Sequence, residues 1–214
     1  MTEEILIVDN MVVQPALRAR LIGMVLAADL ADVPGVTCNF IGRVALADGS
    51  ERGFFVRHAV DAVLSDAAGN VVLITRLHQP GKGRLAIPGG FLDLVDGLCE
   101  DVVTAARREL EEETGVASAI IEAAALQGVG RRRYDRPFDV RIAWADIPHT
   151  GILTGDIFMA STQPVYLRTA EDLTRVTLRA GDDAVAARVA NTREMGEGTL
   201  GIPDQLGMIA EIPD

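Results

Sequence analysis

The stretch that decides the fold runs from Pro88-Gly89-Gly90-Phe91 to Arg108-Glu109-Leu110-Glu111-Glu112-Glu113-Thr114-Gly115-Val116. Its second half predicts a helix over 100–113. Gly115 closes it, because glycine takes the left-handed conformation after a last helical turn at no steric cost. At about 100° per residue, Glu109, Glu112 and Glu113 share one face of that helix. Such a face opposes its own stability twice. Like charges three and four residues apart repel by about 0.2–0.5 kcal/mol per pair. Acids in a last turn also oppose the helix dipole, by about 0.3–1 kcal/mol each. A local cost of this kind points to a site, and clustered carboxylates suit a hard divalent cation, which takes oxygen ligands. Arg108, four residues before Glu112, braces that carboxylate without neutralising the cluster. Gly89 and Gly90 let backbone approach the same place. Taken alone, the Glu run also reads as a solvated helix face.

Outward from this helix the pattern is mostly of strands. Residues 54–64 and 71–77 read as two strands joined by the turn Asp66-Ala67-Ala68-Gly69-Asn70. A short strand over 84–87 precedes the break at Pro88, and 120–126 and 140–145 read as further strands. Apolar runs recur over 157–167 and 185–190, the second of which pattern alone does not type. Residues 204–212 read as a last short helix. Upstream, Pro15 opens a helix in which Leu17, Leu21, Met24, Val25 and Ala28 recur at helical spacing. Asp32-Val33-Pro34-Gly35 stops it, 39–47 reads as a strand, and Asp48-Gly49 as a hairpin turn. One strong helix among many strands gives an α/β class. The expected division is an N-terminal helical/β extension over 1–53 and a main domain over 54–214.

The composition bounds what such a chain does. Its 214 residues carry a net charge of −11, which disfavours nucleic acid and anionic membrane as partners. Two cysteines, Cys38 and Cys99, are too few for a disulfide framework. Met1-Thr2-Glu3-Glu4 is acidic where a secretory leader would be basic. The apolar run over 21–28 falls short of the roughly 20 residues that a membrane span needs. A cytoplasmic protein is expected, with no nucleic-acid and no membrane partner.

The quoted string resembles the Nudix box, a glycine, a spaced Glu, then Arg-Glu-apolar-x-Glu-Glu-x-Gly-apolar. Arg108, Glu109, Leu110, Glu112, Glu113, Gly115 and Val116 match in register, and Glu100 stands the family's distance before Arg108. The interval from Gly90 to Glu100 is longer than the family's and reads as a loop insertion over 94–97. The resemblance implies the Nudix fold, a mixed β-sheet sandwiched between helices. It also implies an Mg²⁺- or Mn²⁺-dependent hydrolase of a nucleoside diphosphate linked to another group, with two or more ions per site. Glu100, Glu109, Glu112, Glu113 and the carbonyl of Gly90 would then hold metal, with Arg108, Glu112 and Glu113 at the chemistry.

A second string, Ala180-Gly181-Asp182-Asp183-Ala184, resembles an element of the Nudix branch that handles ADP-ribose and related NAD metabolites. Arg76 with Pro80-Gly81-x-Gly83, and Tyr134-Asp135-x-Pro137, resemble the same branch. This implies ADP-ribose as the small-molecule nucleotide substrate, split into AMP and ribose 5-phosphate. It also implies a loop that closes over the diphosphate opposite the Glu helix, with Asp182 or Asp183 as base or further metal contact. A nucleoside triphosphate pyrophosphohydrolase and a weakly active metabolite sensor stay open on the same box. Arg131, Arg132 and Arg133, together with Arg76, are candidate phosphate contacts, since Arg suits bidentate binding. Tyr134 is a candidate base platform, and a solvated loop is the alternative for the whole run. His58, His78 and His149 lack metal spacing and read as structural or surface, and Trp144 reads as core. The stripe Leu17/Leu21/Met24/Val25 suggests a homodimer in which the extension meets a second copy or the pocket.

Overall fold

The computed structural model describes the chain apart from residues 1–6, 9, 10, 13, 14, 29, 31–35, 46–48, 79, 80, 134–139, 182, 203 and 214. The strands are β1 (Ile7–Val8), β2 (Met11–Val12), β3 (Cys38–Ala45), β4 (Glu51–Ser65), β5 (Asn70–Arg76), β6 (Leu85–Ala86), β7 (Leu94–Val95), β8 (Leu98–Cys99), β9 (Ala125–Val129), β10 (Val140–Ile142), β11 (Ile157–Arg168) and β12 (Ala184–Asn191). The α-helices are α1 (Pro15–Ala27), α2 (Val102–Thr114), α3 (Ser118–Ala123) and α4 (Asp204–Ala210). They form two compact units. One comprises Met1–Ala59, Leu92–Glu100 and Arg132–Thr162, the other Val60–Phe91, Asp101–Arg131 and Gln163–Asp214. The units do not divide the chain at residue 53, because β4 and β11 each begin in the first and finish in the second. These two strands run in the same direction, with Gly53 meeting Asp156 near their starts and Ser65 meeting Thr169 near their ends. The other strand pairs recorded are antiparallel, which makes the pairing mixed.

In the first unit the strand order is β1-β2-β10-β11-β4-β3. Helix α1 lays Leu21 and Val25 on this sheet, against Val44, Phe54, Val56, Val140, Ile157 and Met159, with Leu17 and Met24 at the margin. Burying each such side chain stabilises the fold by about 1.5–3 kcal/mol. The apolar stripe expected to seek a second copy is therefore satisfied within the chain. The stop at 32–35 and Asp48 lie outside the described residues, but Ala45 pairs with Glu51 around Gly49 at φ 80°, as a hairpin requires. The insertion is itself a hairpin: β7 and β8 pair through Asp96 (φ 53°) and Gly97 (φ 79°), two left-handed residues in a row. His58 is buried, with Nε2 2.5 Å from Asn39 Oδ1 and Nδ1 2.8 Å from Arg132 Nη1. The guanidinium donates, so Nδ1 accepts and Nε2 carries the proton. Burial, and then the Arg132 charge, push its pKa down to about 4. Trp144 is not core: it is 78% exposed, because β10 ends at Ile142 and not at 145.

In the second unit the order is β9-β11-β4-β5-β12, with β6 also on β5. Helix α4 packs Met208 and Ile209 on Val63, Val71, Leu73, Ile87 and Tyr166, and α2 packs against β5 and β12. Helix α2 starts after residue 100. Asp101 is its N-cap, accepting from the Val103 and Thr104 N–H groups, which leaves Glu100 outside. Gly115 ends it at φ 61°, its N–H donating to Glu111 O. The strand expected over 120–126 is instead α3 followed by β9. The Arg107 guanidinium donates to the carbonyls of Ile121 and Ala124 and so satisfies the end of α3, a contact that local pattern does not carry. The untyped run over 185–190 is strand β12. Among the described residues no helix is long and apolar enough to cross a membrane.

Candidate active site

The buried stripe of α2 reads Ala105, Ala106, Glu109, Leu110, Glu113, Thr114. Two carboxylates stand where apolar side chains belong, with Glu109 only 8% and Glu113 only 7% exposed. Burying a carboxylate is costly unless it is hydrogen-bonded or paired. The corner Pro88-Gly89-Gly90 makes it tolerable. The Gly89 N–H donates to Glu113 Oε2 at 2.8 Å, and Arg108 Nη1 donates to Glu109 Oε1 at 2.8 Å. Gly90 leaves room for Glu109, since a Cβ there would lie 2.3 Å from Glu109 Oε1. The corner is itself pinned to β4, with Ala62 N–H donating to Pro88 O at 2.8 Å and Val60 N–H to Gly90 O at 2.9 Å. The Gly90 carbonyl, expected to face metal, thus already accepts one hydrogen bond and keeps its second lone pair for another partner.

Glu112 behaves differently. Its side chain is 56% exposed, and Oε2 accepts from Arg108 Nη1 at 2.9 Å. Arg108 Nη2 also donates to Phe91 O at 3.1 Å, so one guanidinium ties both glutamates to the corner. Residues four apart on a helix lie about 40° apart around its axis, which turns Glu109 and Glu113 the same way. Glu109 and Glu112 meet on Arg108 Nη1 while Glu113 turns to the Gly89 N–H, and among the described residues no three Asp, Glu, His or Cys side chains are already gathered closely enough to hold a metal ion. What is assembled is a buried pair with the third carboxylate held beside it. The pKa of Glu113 rises to about 8. Burial is the main cause; the Gly89 N–H opposes it, the Glu109 charge adds to it, Arg76 opposes it and Asp183 adds to it. The charges of Arg76 and Asp183 therefore act on the same carboxylate.

The 180–184 string does not lie opposite the Glu helix. Its Gly181 and the preceding Arg179 seat on the last turn of α2: Gly181 N–H donates to Glu113 O at 3.2 Å and Arg179 N–H to Thr114 O at 2.8 Å. A Cβ on Gly181 would fall 1.6 Å from Glu112 O. Asp183 is exposed, with Oδ1 3.7 Å from His78 Nε2. Asp182 and Tyr134 lie outside the described residues. Arg131 is exposed in this same unit. Glu100, Arg132 and Arg133 belong to the other unit. There Glu100 Oε1 accepts from the Asp93 N–H at 2.8 Å and closes the base of the inserted hairpin. Arg132 is engaged by His58 and by Ser161 Oγ at 3.5 Å. Arg133 pairs its backbone with Thr162 at 2.7 and 3.0 Å.

The donor set of the second unit fits a divalent cation. Two buried carboxylates face one corner, met there by the Arg108 guanidinium and the Gly89 N–H, and a third carboxylate stands beside them. Sequence reading missed the Gly89 N–H and the Phe91 carbonyl as parts of the site. The Pro-Gly-Gly signal marked the place but not which backbone atoms face the glutamates.

A NUDIX domain family model matches residues 56–175 of the chain. No curated protein matches it. Among solved structures, a bifunctional NMN adenylyltransferase/ADP ribose pyrophosphatase from Francisella tularensis, complexed with AMP and Mn ion, is similar at 18% identity and a TM-score of 0.48. That likeness covers 93% of this chain and 46% of the other, so the chain spans about half the length of that relative. A Nudix hydrolase from M. smegmatis is similar at 18% identity and a TM-score of 0.46, over 79% of this chain and 92% of that one. The NUDIX domain of Shewanella oneidensis NrtR, complexed with ADP ribose, is similar at 18% identity and a TM-score of 0.43, over 72% and 83%.

Proposed function

The chain belongs to the Nudix family, and on that premise we propose that it is an Mg²⁺- or Mn²⁺-dependent pyrophosphohydrolase whose substrate is ADP-ribose. The observation that carries this reading is the buried pair Glu109 and Glu113 in the Gly89-Gly90 corner, braced by Arg108. Glu109, Glu113 and Glu112 would hold the metal. A divalent cation bound there supplies charge neutralisation for a diphosphate and a water of lowered pKa.

The chain's own groups do the rest. Arg108 keeps Glu109 and Glu112 in place and leaves Glu113 to the Gly89 N–H. Arg76, whose charge acts on Glu113, and exposed Arg131 meet the phosphates bidentately. Asp183, exposed and with its charge acting on Glu113, takes a proton at Oδ1 from the attacking water. The water oxygen bonds to phosphorus, the anhydride P–O bond breaks, and AMP leaves with ribose 5-phosphate as the second product. Support for ADP-ribose comes from the 180–184 string, which resembles that branch and seats on the Glu113 turn.

The protein pairs with a second copy through its first unit, which carries Leu26, Phe40, Val95, Leu98, Trp144 and Leu153 exposed. Light scattering that gives a monomer mass removes the dimer. The substrate is tested by competition in Mg²⁺ among ADP-ribose, NADH, a diadenosine polyphosphate and deoxynucleoside triphosphates. ADP-ribose is expected to have the highest kcat/KM. A triphosphate ahead by about tenfold, which is about 1.4 kcal/mol, overturns the substrate and leaves the reaction class standing.

A further inference from the structure

We propose that Gln205, at the start of α4, is a positioning residue for this active site. Its side-chain amide stands in for a neighbouring strand at Ile87 and thereby fixes the corner that holds Glu109 and Glu113. The proposal rests on the reading of that corner as the metal site.

The backbone from Leu85 to Gly90 is met from two sides. Pro88 and Gly90 offer their carbonyls to Ala62 and Val60 of β4. On the other side the Leu85 carbonyl accepts from the Gly201 N–H at 2.7 Å. At Ile87 the partner is a side chain. The Ile87 N–H donates to Gln205 Oε1 at 3.0 Å, and the Ile87 carbonyl accepts from Gln205 Nε2 at 3.5 Å. A primary amide carries the same donor and acceptor as a peptide group, so it satisfies both backbone groups of one residue as a strand would. The remaining Nε2 proton goes to Asp61 Oδ1 at 2.8 Å. Gln205 is 1% and Asp61 4% exposed.

Holding α4 on the sheet does not require this arrangement. Met208 and Ile209 already pack there, and a buried polar pair is weak evidence for stability compared with apolar residues of like volume. Directed hydrogen bonds fix position instead. Ile87 is joined to Gly89 through Pro88, whose ring restricts φ. A shift of Ile87 is therefore passed to the Gly89 N–H that holds Glu113 Oε2. Asp61 gave a signal in the sequence, as the acid that interrupts the apolar run Ala59-Val60-Asp61-Ala62-Val63. Gln205 gave none.

The test compares Gln205→Glu, Asp61→Asn and the double variant with wild type. Three readouts apply: Mn²⁺ binding by electron paramagnetic resonance without nucleotide, amide hydrogen exchange at Ile87 and Gly89, and Tm. Gln205→Glu keeps an acceptor for Ile87 N–H but loses the donor to Asp61 and sets two buried carboxylates together. It is expected to weaken Mn²⁺ binding by about 10–100-fold, the range for residues that orient metal ligands. Exchange at Ile87 and Gly89 should quicken at temperatures where the protein stays folded. In the double variant the introduced asparagine amide donates to the introduced glutamate carboxylate, and most of the loss should return. If Gln205→Glu does not fold, Gln205→Met, which keeps the volume and removes both hydrogen bonds, carries the same expectation. Unchanged Mn²⁺ binding and unchanged exchange at Gly89 in a folded Gln205 variant overturn the proposal. A double variant no better than Gln205→Glu does so too. Failure of Glu113→Gln to weaken Mn²⁺ binding would instead overturn the metal reading, with exchange at Gly89 still reporting on Gln205.

Discussion

Exchanging Gly90 for alanine should lower the proposed hydrolase activity by about 100-fold while leaving the fold intact. The φ of Gly90 is not in the left-handed region, so alanine adopts its backbone without strain. The new Cβ would stand 2.3 Å from Glu109 Oε1 and 2.6 Å from its Cδ, whereas ordinary contact begins at 3.4 Å. The carboxylate must therefore retreat by about 1 Å, and as the end of a flexible side chain it is free to do so. The unfolded chain loses entropy on the exchange, a gain of about 0.4–1 kcal/mol. So small a retreat leaves Glu109 within reach of the Arg108 guanidinium, which loosens the buried pair without breaking it. Tm should stay within a few degrees. Misplacing a reacting group by about 1 Å costs about 100-fold, or about 2.7 kcal/mol of transition-state stabilisation. The assay is kcat/KM for ADP-ribose in Mg²⁺ alongside calorimetric Tm. Gly89→Ala is the contrast. Its Cβ would fall 2.1 Å from Val60 O, a backbone atom of β4 that cannot swing aside. There the fold should suffer first, by about 3 kcal/mol or more. Wild-type kcat/KM in Gly90→Ala, or a Tm loss equal to that of Gly89→Ala, would refute the placement of Glu109.

Three further outcomes are expected. With the Glu113 pKa raised from 4.5 to about 8, the metal-free folded state binds more protons than the unfolded state between those values, so its stability falls as pH rises through that window. Glu113→Gln should remove the slope in urea titrations at pH 5 and 8 while turnover drops by orders of magnitude; a slope that persists assigns it elsewhere. For His58, lowered from 6.5 to about 4, the sign is opposite: the unfolded state binds the extra proton, and about 3 kcal/mol of stability present above pH 6.5 is lost as pH falls toward 4. His58→Gln should flatten that acid limb, and an unchanged limb would place the titration in another group. Gly181→Ala, with its Cβ 1.6 Å from Glu112 O, should lower Tm by about 6 °C or more, and an unchanged Tm would contradict the seat of the string on α2.

The features legible in the sequence were the local ones. Helix α2 and its Gly115 stop follow from residue spacing and a left-handed cap, as do the strands β4 and β5 and their turn. The Arg108–Glu112 pair follows from helical geometry alone, since residues four apart are neighbours on any helix. Spacing also put three glutamates on one face, but only packing decided which of them are buried. Glu109 and Glu113 turn into a corner some twenty residues away in sequence because Gly90 leaves room and Gly89 offers an N–H. Likewise, the end of α3 is held by Arg107, which reaches the carbonyls of Ile121 and Ala124, and Arg132 meets a histidine 74 positions distant. The stripe of α1 found its partner within the chain, on strands as remote as Met159. The pair Gln205 and Asp61 is 144 positions apart. Periodicity and caps act over one or two turns and are written in adjacent residues. Desolvation and long-range hydrogen bonds depend on which surface arrives opposite, and only the folded chain decides that.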